Sequence, residues 1–254
     1  MYEAGGPFPC HNQAQAVTAP EAGLECKKAS LLQWGGMNIV IVGPPGAGKG
    51  TQADRLSAWM KVPHIASGDF FRAELRAGTT LGLKAQAYID KGQLVPDELT
   101  TSMILNRISM PDCAAGVILD GYPRTLPQAR ALDAALAQEA TGRTIDMVLL
   151  LTVKEETVVH RMVDRISCAN CGKVYNLTYK PPREPGKCDR CGHNLYVRSD
   201  DKLATLQERL QIYRAETTPM IEYYEQRNLV HSFNGERDMD LVFKELQECI
   251  ASHG

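Results

Sequence analysis

No stretch of this chain approaches the ~18 consecutive apolar residues of a membrane-spanning helix, so no transmembrane segment is expected. A surplus of charge is missing as well: 28 Lys and Arg against 30 Asp and Glu give a formal net charge of −2. That balance argues against nucleic acid or a membrane surface as the main partner. A secretory signal would need a basic start and an apolar stretch of ~7 to 15 residues, and an organelle transit segment would be rich in arginine. Neither is present, and the first 36 residues hold no arginine at all. A cytoplasmic location is therefore expected. With 254 residues the chain is long enough for one large core and a small appended domain.

Residues 1–36 also lack any helical or strand periodicity and carry Pro7, Pro9 and Pro20 among Gly and Ala, so they read as a disordered N-terminal extension. Met37 stands directly before the first strand pattern and is expected to open the folded unit. Strands are predicted at Met37–Val42, Val117–Leu119, Ile145–Val153 and Leu229–Phe233. Helices are predicted at Thr51–Met60, Asp69–Ala77, Leu81–Lys91, Asp97–Ile108, Leu126 to about Ala140, Glu155–Ile166 and Met239–Ala251. This alternation predicts an α/β fold with a doubly wound parallel sheet. Between Cys168 and about Val197 the helical period vanishes and Gly, Pro, Tyr and Cys dominate, which predicts an inserted small domain.

The first strand runs into Gly43-Pro44-Pro45-Gly46-Ala47-Gly48-Lys49-Gly50-Thr51, a glycine-rich turn that ends in lysine and a helical pattern. This is a phosphate-binding loop. Its glycines let backbone N–H groups approach a polyphosphate, the helix N-terminus adds favourable potential, and Lys49 supplies a mobile charge. The general motif places Ser or Thr directly after the lysine to hold Mg²⁺. Here Gly50 fills that position and the hydroxyl comes one later, at Thr51. The metal is then expected to rest on phosphates, water and a carboxylate elsewhere.

Of eight cysteines, four form two C-x-x-C pairs, Cys168/Cys171 and Cys188/Cys191, separated by sixteen residues. Paired thiolates at this spacing, in a chain with no secretory signal, predict a closed structural zinc site and a reducing compartment. Iron could occupy the same cage. Binding of order 10 kcal/mol could hold together a segment too small to build a core. His193 reads as a solvent-facing turn residue, Cys113 and Cys249 as small buried residues, and Cys10 and Cys26 fall in the extension.

Arginines supply the remaining chemistry. Arg72 opens a helix, Arg161 and Arg165 are predicted four apart on one helix face, and Arg198 and Arg209 flank the end of the insertion. Asp120-Gly121-Tyr122-Pro123-Arg124 follows the end of a predicted strand, where open α/β sheets bind ligands, so Asp120 and Arg124 are expected to face phosphates. Arg130, Arg143 and Arg183 read as solvated surface charges.

Taken together, the phosphate loop, Ser67-Gly68-Asp69, Leu119-Asp120-Gly121-Tyr122-Pro123-Arg124-Thr125, Gln128, Arg161 with Arg165, and Arg198 before Asp200-Asp201 resemble an adenylate kinase of the long-lid, metal-binding type. The resemblance runs from Met37 to the C-terminus. It implies reversible phosphoryl transfer from MgATP to AMP, giving two ADP. It also implies that residues 43–51 with Arg161 and Arg165 bind ATP, and that Lys49, Arg124, Arg165, Arg198 and Arg209 surround the transferring group. AMP would contact Ser67, Arg72, Val95, Gly121, Arg124, Gln128, Arg198 and Arg209, and Asp120 would orient Mg²⁺ through water. On this reading residues 67–95 form an arm over AMP and 164–201 a zinc-binding lid, inserted in a core of 37–66, 96–163 and 202–254. Two mobile arms leave little free surface, so a monomer is expected.

Two departures from the family pattern stand out: Ala66-Ser67 where Ser-Thr is usual, and Tyr122 where Phe is usual. Other readings remain open at this point. A uridylate or cytidylate kinase would share the loop, and a P-loop switch or non-catalytic scaffold could carry a zinc ribbon as an interaction module.

Overall fold

The computed structural model describes residues 36–138 and 142–253, so the reading of the first 35 residues as a disordered extension lies outside the described residues. A five-stranded parallel sheet is built from β1 (Asn38–Val42), β2 (His64–Ala66), β3 (Val117–Asp120), β4 (Met147–Thr152) and β8 (Val230–Asn234). Its strand order is β2-β3-β1-β4-β8. β1 is Asn-Ile-Val-Ile-Val and every residue is buried, as expected of a β-branched strand covered on both faces.

Alternation within the strands divides the core into two layers. Val40, Val42, Leu119 and Val148 pack with Ile104, Leu132 and Tyr224, from helices α4 (Asp97–Ile108), α5 (Leu126–Gln138) and α8 (Thr218–Glu225). Ile39, Ile41, Ile118 and Leu149 pack on the other side with Leu56 and Leu246, from α1 (Lys49–Met60) and α9 (Met239–Ala251). Asp238 caps α9 by accepting hydrogen bonds from the N–H groups of Asp240 and Leu241. Ile41 is in register with Asp120 on β3 and with Leu149 on β4, which sets the loop after β1 beside Asp120.

Two excursions leave this frame. Helices α2 (Ser67–Arg76) and α3 (Thr80–Ile89) form a packed pair between β2 and α4, with Thr79 capping α3 through the Gly82 N–H. After α6 (Glu155–Val163), strands β5 (Arg165–Cys168), β6 (Val174–Asn176) and β7 (Leu195–Tyr196) make a small antiparallel sheet. The chain returns through α7 (Leu203–Ile212), which continues by a single π-helical turn at Tyr213–Thr217 into α8. Among the described residues, no helix is long and apolar enough to cross a membrane.

The sequence predicts α6 to run on to Ile166, but the helix ends at Val163. Asp164 leaves helical geometry with ψ 4°, and Arg165 and Ile166 pair instead with Asn176 and Tyr175. Cross-strand pairing in the small sheet overrides the local helical period. Arg161 and Arg165 therefore do not share a helix face. The three-residue strand β2 and helices α7 and α8 were not anticipated.

Candidate functional site

The ends of β1 and β3, the helix pair, the small sheet and α7 enclose a cleft of about 970 Å³, at the upper end for a small-molecule site. Residues 45–51 form one wall. Gly43 has φ 153°, and a Cβ there would stand 2.5 Å from the Leu151 carbonyl oxygen, so only glycine lets the loop turn this close to β4. Lys49 folds back over the loop and donates to the carbonyls of Gly43 at 2.7 Å and Pro44 at 2.8 Å. Desolvation lowers its pKa to about 7; Asp120 opposes the shift, while Arg124, Arg209 and Arg165 reinforce it.

Asp120 ends β3 and faces this lysine. A Cβ at Gly50, where the general loop motif carries its hydroxyl, would lie 3.3 Å from Asp120 Oδ2. A carboxylate thus occupies the neighbourhood from which the hydroxyl is missing. Desolvation works against its ionisation, yet His64 and Lys49 hold its pKa below the ordinary value. His64 sits between Asp54, 2.7 Å from Nδ1, and Asp120, 3.6 Å from Nε2. These two carboxylates outweigh desolvation and raise its pKa to about 9. Sequence reasoning missed His64, because its partners are ten and fifty-six positions away.

The predicted arginines converge on the same cleft. Arg124 donates through Nε to the Gly121 carbonyl at 2.8 Å, and Gly121, with φ 70°, leaves room where a Cβ would meet the Arg124 guanidinium at 2.7 Å. Arg165 forms a two-pronged ion pair with Asp201, and Arg209 lies 3.0 Å from Asp200 Oδ2. Arg198 is buried and donates to Ser167 Oγ at 2.7 Å. Desolvation, then repulsion from Arg72 and Arg165, lowers its pKa to about 9. Desolvation similarly brings Arg209 to about 10, with Asp200 opposing. Cations crowded together this way await a polyanion. Asp200 and Asp201 were read only as part of a motif; the structure shows them as the arginines' partners. Arg161 lines the cleft from α6, its guanidinium 5.9 Å from the Tyr179 ring centroid.

On the side of the helix pair, Ser67 Oγ donates to the Gly121 carbonyl at 2.6 Å and Arg72 pairs with Asp69 at 2.5 Å. Val95 and Gln128 are buried in the cleft wall. The Gln128 carboxamide accepts from the Arg124 N–H and donates to Asp97 Oδ1, both at 2.7 Å. It keeps a second N–H and a second lone pair. Tyr122 is fully buried, and its hydroxyl donates toward Thr101 Oγ1 at 3.2 Å and the Gln128 carbonyl at 3.3 Å, so the extra oxygen relative to Phe is accommodated. Arg130 and Arg183 are exposed as expected, whereas Arg143 donates to the carbonyls of Cys113 at 2.8 Å and Ile108 at 3.2 Å and closes the end of α4. His193 is exposed and Cys113 buried; Cys249 is only half-buried.

In the small sheet, Cys168, Cys171, Cys188 and Cys191 are free thiols whose sulfurs lie within 4.8 Å of one another. Cys168 and Cys191 are 3.4 Å apart and Cys171 and Cys188 3.6 Å. A tetrahedral ion with bonds of about 2.3 Å would set sulfurs roughly 3.8 Å apart, so the donor set fits a four-thiolate metal centre.

A phosphate loop with its lysine, a carboxylate at the adjacent strand end and arginines drawn from three parts of the chain define a P-loop phosphotransferase that acts on nucleotides. Residues 41–229 match the family model described as Adenylate kinase. Curated proteins named Adenylate kinase are similar throughout. The chain is 46% identical to that of Syntrophomonas wolfei over 216 residues, 85% of this chain and 100% of the relative. It is 47% identical to that of Archaeoglobus fulgidus over 214 residues, 84% and 98%. For Desulforudis audaxviator the identity is 48% over 218 residues, 86% and 100%. The chain belongs to the adenylate kinase family, and its reaction is reversible phosphoryl transfer from MgATP to AMP, giving two ADP.

Proposed function

We propose that the cleft divides this reaction between three parts of the chain. Residues 43–51 grip the donor phosphates, with Arg161 and Arg165 on the ATP side. Residues 67–95 act as an arm over AMP, where Arg72 takes the acceptor phosphate and Gln128 reads the adenine edge beside Ser67, Val95 and Gly121. Residues 164–201 act as a lid, closing over a core formed by 37–66, 96–163 and 202–254. Mg²⁺, which when bound offsets phosphate charge as a Lewis acid, would be held at Asp120 through water. Zinc suits the four lid thiols, which leave no coordination position for substrate. Four thiols kept free for a metal suit a reducing, cytoplasmic setting, and a monomer suits two moving arms.

The chemistry asks for positioning and charge rather than a base. The second pKa of a phosphate monoester is about 6, so the AMP phosphate oxygen is already ionised when it attacks the γ-phosphorus. The new P–O bond forms as the bond to the β-phosphate oxygen breaks, and ADP leaves from each side. Charge spreads over the transferring group in a loose transition state. Lys49, Arg124, Arg165, Arg198 and Arg209 neutralise it in a cleft whose closure excludes water as a competing nucleophile.

One observation carries this reading: those five cations share one cleft with Asp120, though they come from α1, the loop after β3, strand β5, the segment after β7 and α7. The test is a coupled assay of ATP consumption with AMP, UMP, CMP and GMP as acceptors. AMP is expected to be strongly preferred, and Gln128→Ala to raise the KM for AMP and relax that preference, since a base edge loses its hydrogen-bond partners. UMP or CMP as the better acceptor would overturn the assignment at this site.

A further inference from the structure

We propose that His231, Cys249 and His253 form a second metal site, for a borderline-soft divalent ion such as Zn²⁺, at the end of the molecule away from the cleft. This site is independent of the four-cysteine centre and of the reaction. One ligand atom from each of the three residues lies within 4.8 Å of the other two. A tetrahedral ion bound at about 2.0 Å to nitrogen and 2.3 Å to sulfur needs spacings of roughly 3.3 to 3.6 Å, so small side-chain rotations close the set. The imidazoles of His231 and His253 meet edge-on with centroids 4.5 Å apart. Two nitrogens and one sulfur suit zinc, cobalt, nickel or copper and are poor ligands for Mg²⁺ or Ca²⁺.

Two of the three ligands stand on regular elements, and the third follows a helix end. His231 lies on β8, paired with Leu149 of the buried β4. Cys249 is in the last turn of α9, half-buried at the edge of the core layer that α9 shares with α1. His253 follows four residues later, so the thiol and the second imidazole project from the same side of the helix end. His253 Nδ1 is 2.8 Å from the Cys249 carbonyl oxygen. A carbonyl can only accept, so Nδ1 carries the proton and Nε2 is left with the free lone pair. Ligating histidines are commonly oriented in this way, by a carbonyl on the nitrogen that does not bind the metal. His253 is exposed and His231 half-exposed, so an ion can enter from solvent.

Such an ion would clamp the edge strand β8 to the end of α9. The start of α9 lies in the cleft wall at Met239, and a helix of 13 residues is about 20 Å long, so the clamp acts far from the phosphates. Only the folded chain brings β8 beside the end of α9, so binding favours the native state by mass action.

The test uses the full-length protein, first loaded with one equivalent of zinc for the four-cysteine cluster, then titrated with further Zn²⁺ against a chromophoric chelator. A second ion is expected to bind and raise the thermal midpoint, and millimolar Mg²⁺ should not displace it. His231→Ala and His253→Ala should each weaken that second ion by about tenfold or more, while Cys188→Ser leaves it in place. Cobalt added to the zinc-loaded protein should give a thiolate charge-transfer band that is lost in Cys249→Ser. Binding of only one ion per chain, or a second ion indifferent to both histidine variants, would overturn the proposal. His253 is exposed beyond the helix end, so its variant stays informative even if His231→Ala folds poorly.

Discussion

In the large sheet, Ile118, Leu119 and Leu149 are sealed between strands and two layers of helices, and the central strands β1, β3 and β4 are apolar through most of their length. The buried apolar set of the small sheet is Ile166, Cys168, Tyr175 and Cys188, with Leu195 and two further cysteines at the margin. Apolar burial contributes roughly 25 cal/mol per Å², and so short a set of side chains cannot offset the ordering of about thirty residues. The large sheet holds itself together, whereas the small one, on the proposed reading, would depend on bonds its thiols make to a metal. The regions also contribute differently to the site. The first supplies Lys49 and Asp120 in fixed register, and the second brings Arg165, with Arg198 just past its last strand, from the inserted segment.

The largest effect expected from this contrast comes from removing function in the self-supporting region without disturbing its packing. Lys49→Met should lower turnover at least roughly a hundredfold, because a charge following the phosphoryl group is worth about 3 kcal/mol or more. Its thermal midpoint should stay level or rise, since a desolvated ammonium is replaced by an apolar chain. Near-normal turnover would remove the loop from the mechanism.

A smaller and more conditional loss is expected in the metal-dependent region. Replacing Cys188 and Cys191 together with serine should abolish the tight zinc, lower the thermal midpoint and loosen the small sheet, as hydrogen exchange would record. A fraction of the activity should persist at low temperature. Complete loss of activity with unchanged stability and unchanged exchange would erase the distinction between the two regions.

The smallest effect concerns His64, which belongs to the large sheet but is held by charge. Its folded pKa is raised from 6.5 to about 9, so its contribution to stability is fully present below pH 6.5 and fades as pH rises through 9. The stability gap between the nucleotide-free protein and His64→Gln should be widest in acid and close above pH 9, as denaturant titrations at several pH values would show. A gap independent of pH would mean that His64 acts by packing alone.

Legibility in the sequence followed the range of the interactions. Helices α4 and α9 appear at their predicted bounds, because apolar period, and for α9 the Asp238 cap, are local. α6 was overrun because Ile166 continues an apolar period that only pairing with Tyr175 interrupts. α7 and α8 were hidden by the π turn and Pro219 between their periodic segments. In the site, Lys49, Asp120, Arg124 and the four cysteines were visible because their motifs are contiguous or closely spaced. The partnerships of Arg165 with Asp201, thirty-six residues on, and of Gln128 with Asp97, thirty-one back, were not. Nothing in a sequence window states which carboxylate a guanidinium will meet.

Those aspartates carry a consequence for the catalytic cycle. Arg165 and Arg209 already hold counterions in Asp201 and Asp200. In the roles proposed for these arginines, an incoming phosphate would displace a resident anion rather than fill a bare cationic hole, and the same anion would be at hand to reclaim the guanidinium when product forms. Exchange between two anions of similar strength would keep the net pull on nucleotides moderate. A pair of side-chain place-holders would thus let a strongly cationic cleft let go of its products.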